Sequence, residues 1–227
     1  MKIAEIFYSI QGEGALVGTP SVFVRTSGCN LRCGWCDTPY ASWAPEGEEV
    51  ALEEILAAVA RYRAHYVVVT GGEPMIAPQI GPLSEDLRQM GLHVTIETAG
   101  TVFAPVDCHL MSISPKLSNS TPFGCDEDRW VAQHDRLRLQ PAVLKRLMAA
   151  YEYQLKFVVV EEDDLAEIRD LVAEVRANPQ RVVLMPEGTD PEVLRERAAW
   201  LVEICKQEGF RFSPRLHIDL YGNRRGV

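Results

Sequence analysis

Short apolar runs alternate with amphipathic stretches along most of this chain, and that alternation limits what it can fold into. Strand composition is found at Ser21–Thr26, His65–Thr70, Leu92–Thr98, Cys108–Ser114, Gln154–Val160, Arg181–Met185 and Arg211–His217. Between them, Leu52–Ala64, Leu83–Met90, Pro141–Tyr151, Asp163–Ala177 and Pro191–Glu208 carry apolar residues at helical spacing, as Leu52, Ile55, Leu56 and Val59 do. Strands separated by helices predict βα units around a parallel sheet covered on both faces. The fold class is therefore α/β, either doubly wound or a partial βα barrel. Both architectures put functional residues where strands end. Thr70-Gly71-Gly72-Glu73-Pro74, Glu97-Thr98, Ser114-Pro115-Lys116 and Met185-Pro186-Glu187 lie at such ends.

With 227 residues, 47% hydrophobic and 24% charged, one domain spanning 1–227 is the default expectation. The stretch 117–139 is polar and reads as an irregular insertion or lid. The net charge of -9 disfavours direct nucleic-acid binding. No apolar run approaches the roughly 20 residues that a membrane helix needs, and no signal-peptide pattern opens the sequence. The expected location is cytoplasmic, where cysteines stay reduced.

Three of the six cysteines fall within eight residues, as Cys29-x3-Cys33-x2-Cys36. In a reducing compartment such a cluster reads as metal binding before disulfides. Three thiolates on one loop can take three corners of a [4Fe–4S] cluster and leave one iron open. The competing reading is structural zinc, which wants four protein ligands, and no histidine lies nearby. Cys108 and Cys125 are distant in sequence.

CxxxCxxC with Trp35 before the last cysteine resembles the signature of the radical S-adenosylmethionine (SAM) superfamily, and Gly71-Gly72-Glu73-Pro74 resembles its second motif. The resemblance implies a partial (βα)6-type barrel, a [4Fe–4S] cluster on Cys29, Cys33 and Cys36, and SAM on the open iron. Within the superfamily the chain is similar to the 7-carboxy-7-deazaguanine synthases over nearly its whole length. The stretches that carry this are Ile6–Gly14, Phe23–Leu31, Cys36-Asp37-Thr38, Ile96–Thr101, Ser114-Pro115-Lys116, Leu216-His217 and Gly222–Val227. The implied substrate is 6-carboxy-5,6,7,8-tetrahydropterin. An adenosyl radical takes hydrogen from C6, the ring contracts, ammonia is lost, and SAM is regenerated. The product feeds queuosine or another deazapurine pathway. Mg2+ with Thr38 as a ligand, a homodimer, and flavodoxin or ferredoxin as electron donor are also implied.

The same resemblance assigns SAM binding to Trp35, Cys36, Asp37, Gly71, Gly72, Glu73, Glu97, Ser114, Pro115, Lys116, Met185, Pro186, Glu187 and Gly188. It assigns the substrate to Ile10, Gln11, Gly12, Glu13, Arg25, Thr70, His217 and Val227, with Arg25 and Glu13 also counted as catalytic. The residue types agree with these roles, but each has a plainer alternative. Arg25 is a rigid fork suited to a carboxylate, or one half of an ion pair. Glu13 is an acceptor for a pterin amino group, or part of a turn. The Thr70 hydroxyl ends a buried strand and must find a partner. Lys116 suits the SAM carboxylate, or is solvated. His217 faces substrate, or is structural. His65, His93, His109 and His134, the other three cysteines, and Trp43, Trp130 and Trp200 read as packing or ordinary surface groups.

Two other functions remain in play. A glycyl-radical activating enzyme would share the cysteine spacing, but Gln11-Gly12-Glu13-Gly14 and Cys36-Asp37-Thr38 weigh against it. A zinc-stabilised binding module would leave Gly71–Pro74 unexplained.

Overall fold

The computed structural model describes residues 1–227. In chain order it contains β1 (Lys2–Ile10), β2 (Pro20–Thr26), β3 (Glu48–Glu49), α1 (Leu52–Ala60), β4 (Tyr66–Gly71), α2 (Ile80–Gln89), β5 (His93–Thr98), β6 (Leu110–Ile113) and α3 (Val131–Arg138). Then follow α4 (Pro141–Ala150), β7 (Tyr153–Val159), α5 (Asp164–Val175), β8 (Val182–Pro186), α6 (Pro191–Glu208), β9 (Arg211–Phe212) and α7 (Leu216–Tyr221). One sheet runs in the order β3-β1-β2-β4-β5-β6-β7-β8-β9. Pairing is parallel from β2 to β9, while β1 runs antiparallel to both β2 and β3. The two end strands do not pair with each other, so the α/β sheet is an open, partial barrel. No helix is long and apolar enough to cross a membrane.

The side-chain period of two divides each strand between the core and a cavity. Val22, Val24, Val67, Val69, Val94, Ile96, Leu155, Phe157, Val159, Val182 and Leu184 face outward into one buried cluster of 31 residues. Helices α1, α2, α4, α5 and α6 cover that face with Ile55, Leu83, Leu87, Leu144, Leu147, Ile168 and Leu201. The intervening residues line the barrel interior: Phe23 and Arg25 on β2, Thr70 on β4, Glu97 on β5, Ser112 on β6, Lys156 and Val158 on β7, and Met185 on β8.

Four expectations change. The helix predicted over Leu52–Ala64 stops at Ala60. The first strand is not the one at Ser21–Thr26 but β1 (Lys2–Ile10), and a loop over Gln11–Thr19 joins the two. The last strand, predicted over Arg211–His217, ends at Phe212, because Pro214 has no N–H to continue the ladder. His217 therefore lies on helix α7. The stretch 117–139 is not wholly irregular, since α3 occupies its second half. It packs along the cysteine loop, where Gly34 N–H donates to Ser120 O (2.9 Å) and Trp35 Nε1 to Asn119 O (3.0 Å).

Candidate active site

The barrel interior opens into a cavity of about 540 Å³ at the carboxyl ends of the parallel strands. The cysteine loop follows β2 and forms one wall. Cys29, Cys33 and Cys36 all reach the cavity, with Trp35, Asp37 and Thr38 beside them. Burial pushes two of these thiols up, Cys29 to about 11 and Cys33 to about 12. Left alone they are neutral; a bound cation would stabilise them as thiolates. A structural zinc site closes its shell with four protein ligands, and no fourth cysteine lines this cavity. Cys108, Cys125 and Cys205 stand away from the cavity.

The Gly71-Gly72 turn fits against this loop. Glu73 N–H donates to Gly28 O (2.9 Å), and Gly72 N–H donates to Thr26 O (3.2 Å). A Cβ on Gly72 would strike Gly28 O and Ala41 O, so only glycine allows the approach. Glu73 itself turns away from the cavity. Its carboxylate accepts from Thr98 Oγ1 (2.7 Å), Met75 N–H (3.0 Å) and Ala99 N–H (2.8 Å). Burial raises its pKa, and these donors oppose that only in part. The acid thus locks the glycine turn to the end of β5.

The opposite wall is the loop after β1. Gln11 Nε2 donates to Glu97 Oε1 (3.0 Å), and Gln11 Oε1 accepts from Glu13 N–H (3.2 Å). Gln154 Oε1 accepts from Ala15 N–H (2.7 Å), and Ser213 Oγ from Gly14 N–H (2.7 Å). A Cβ on Gly12 would collide with the His217 ring. The Glu13 carboxylate sits between the Lys156 ammonium and Arg215, whose Nε donates to Oε1 at 3.1 Å. Burial pushes its pKa up, yet these two cations hold it well below the usual carboxylate range. Lys156 is correspondingly kept charged: burial disfavours its ammonium, and Glu13 and Glu97 more than offset this. Burial lowers His217.

The third wall joins the remaining strand ends. Arg25 Nε pairs with Glu5 Oε1 (2.7 Å) inside the cavity rather than on the surface. Lys116 Nζ donates to Ser114 O and Oγ, both at 2.8 Å, and stands 5.9 Å above the Trp35 ring. Glu187 pairs with Arg197 on α6.

Of the residues singled out in the sequence, Ile10, Gln11, Gly12, Glu13, Arg25, Thr70, His217 and Val227 all line this one cavity. So do Trp35, Cys36, Asp37, Thr38, Gly71, Gly72, Glu97, Ser114, Lys116, Met185 and Glu187. Glu73, Pro115, Pro186 and Gly188 do not. Sequence reasoning missed Lys156, Arg215, Glu5 and Gln154. The alternation Gln154-Leu155-Lys156-Phe157 carried a signal for two of them, because polar residues in a buried strand need an inner polar face. Glu5 and Arg215 had no such local sign.

Residues 23–113 match the radical SAM superfamily model. A 7-carboxy-7-deazaguanine synthase from Rhodopirellula baltica is 48% identical, covering 100% of this chain and 89% of that protein. One from Halobacterium salinarum is 43% identical, covering 98% and 91%. The crystal structure of QueE from Escherichia coli superposes with a TM-score of 0.70 at 26% identity, covering 95% of this chain and 94% of that one. The chain belongs to the 7-carboxy-7-deazaguanine synthase family of the radical SAM superfamily.

Proposed function

We propose that this chain is a carbon–nitrogen lyase that converts 6-carboxy-5,6,7,8-tetrahydropterin to 7-carboxy-7-deazaguanine with loss of ammonia. Membership of the superfamily implies a [4Fe–4S] cluster and SAM. The residues fit that pair. Each thiolate of a cluster binds a different iron, so its ligands stand apart around a body. Cys29, Cys33 and Cys36 border one cavity that no other cysteine lines, a three-thiolate set that would leave one iron of a cluster open. When bound, cluster and SAM supply the hydrogen-abstracting radical.

The observation that carries the substrate reading is the charged wall facing those thiols. Glu13, fixed as an anion by Lys156 and Arg215, offers two acceptor oxygens to the amino and ring N–H groups of a pterin. Arg25 offers its remaining N–H groups to the substrate carboxylate while Nε stays on Glu5. Phe23 and Phe7, stacked with centroids 5.0 Å apart, give an apolar flank to a planar ring. Thr70 and His217 complete the polar contacts. Trp35, Asp37, Gly71, Gly72, Ser114, Lys116, Met185 and Glu187 surround the space left for SAM. Thr38, which lines the same cavity, would offer one oxygen to a Mg2+ ion. We further propose a cytoplasmic homodimer that takes its electrons from flavodoxin or ferredoxin.

The test is anaerobic reconstitution with iron and sulfide, then incubation with SAM, dithionite, Mg2+ and the tetrahydropterin. Mass spectrometry should find 7-carboxy-7-deazaguanine with the native protein and none with Cys33→Ala. If 5′-deoxyadenosine forms without that product, the substrate assignment falls. A colourless protein carrying zinc and no iron would overturn the enzyme reading altogether.

A further inference from the structure

The Arg215 guanidinium is almost wholly buried, and each of its three nitrogens serves a different part of the chain. Nε donates to Glu13 Oε1 on the loop after β1 (3.1 Å). Nη1 donates to the carbonyl of Gly188, just beyond β8 (2.6 Å). Nη2 donates to the carboxylate of Asp37, the residue after Cys36. A guanidinium is rigid and planar, so no one of these bonds can shift without moving the others. Neighbouring backbone reinforces the arrangement: Leu216 N–H donates to Gly12 O (2.9 Å) and Gly14 N–H to Ser213 Oγ (2.7 Å).

The three acceptors divide between the two ligands. Glu13 belongs to the pterin wall, whereas Asp37 and the segment at Gly188 border the space for SAM. A ligand that fixed its own segments would, through the fork, also fix those the other ligand needs. The second then binds to a site already ordered.

We propose that Arg215 is a positioning residue that couples the two ligands, so that pterin and SAM each tighten the binding of the other. This rests on the pterin reading of the same cavity. Linkage requires the effect to be equal in both directions. Lysine cannot reproduce this, because its three donors share one nitrogen while the guanidinium spreads its donors over three nitrogens of a rigid plane.

Isothermal titration calorimetry on the anaerobically reconstituted protein reads the coupling directly. SAM is titrated with and without saturating 6-carboxypterin, an oxidised analogue lacking the C6 hydrogen, and the reverse titration is run as a check. In the native protein each ligand should raise the affinity of the other by about fivefold or more. In Arg215→Lys the factor should fall toward one while SAM alone still binds. In Asp37→Ala, which cuts one bond of the fork and leaves Glu13 paired, the factor should also fall while 6-carboxypterin alone binds as before. A native factor of one overturns the proposal. So does either variant that retains the native factor, and if Arg215→Lys does not fold, Asp37→Ala decides. Failure of 6-carboxypterin to bind the native protein fails the substrate reading first, and this inference with it.

Discussion

Strand β7 shows two chemistries one residue apart. Leu155, Phe157 and Val159 point outward and are buried among the helices. Gln154, Lys156 and Val158 point inward, where Gln154 holds the loop after β1 and Lys156 holds Glu13. The backbone, register and neighbours are shared, so only the face decides. Outward residues hold the barrel together through apolar burial, at roughly 25 cal/mol per Å². Gln154 and Lys156 give up part of that stabilisation, the first to hold a loop and the second to set a charge. Stability and function are therefore separable on a single strand.

Phe157→Ala probes the outer face. It should lower unfolding free energy by about 3–5 kcal/mol in urea titrations while leaving the folded fraction able to bind ligands. A loss of binding that exceeds the loss of folded protein would break the separation.

His134 sharpens the contrast from outside the sheet. It is buried in α3, where its Nδ1 accepts from Arg32 N–H (3.1 Å) and its Nε2 faces Ser120 Oγ (2.9 Å). Ser120 donates onward to Leu117 O (2.6 Å), so the neutral Nε2–H tautomer satisfies every partner. Protonation would set two N–H groups against each other at Nδ1. Burial lowers its pKa to about 4. Unfolded His134 binds its proton near pH 6.5 and the folded form resists it. Stability should thus be fully present above about pH 6.5 and fall as pH drops toward 4, by up to about 3 kcal/mol. His134→Asn, compared over that range by thermal melts, should flatten the dependence. An unchanged slope would show that another group carries it.

Lys156→Met probes the inner face. It removes one of the two cations on Glu13 and fills the space with apolar atoms. Binding of 6-carboxypterin should weaken about tenfold, or ~1.4 kcal/mol. The stability cost should be less than half that of Phe157→Ala, because Arg215 still partners the carboxylate. An equal loss of stability would mean that the inner face is structural too.

The parts legible in the sequence were those with local signatures. Cys29, Cys33 and Cys36 share one loop because chain geometry forces them together. Strands such as Tyr66–Gly71 and helices such as Pro191–Glu208 announced themselves through apolar period, with an N-terminal proline and Gly209 marking the ends of the helix. What stayed hidden depends on distance. Lys156 sits in a run that reads as simply apolar, although Gln154 and Lys156 mark every second position. Arg215 meets Glu13 across 202 residues and Asp37 across 178, and no periodicity encodes either meeting. The apolar pattern of Arg211–His217 predicts a strand, but Pro214 breaks it and His217 falls on a helix.

The long reach of the loop after β1 has a kinetic side. Glu13 is synthesised 202 residues ahead of its partner Arg215. At about 5–20 residues per second, some 10–40 s separate the two. Throughout that interval the wall opposite the cysteines lacks its fastening, and the bonds from Ser213 and Leu216 to the same loop are equally late. The pocket comes into being on the ribosome only once Arg215 has been added, well after the cysteine-bearing loop has been made.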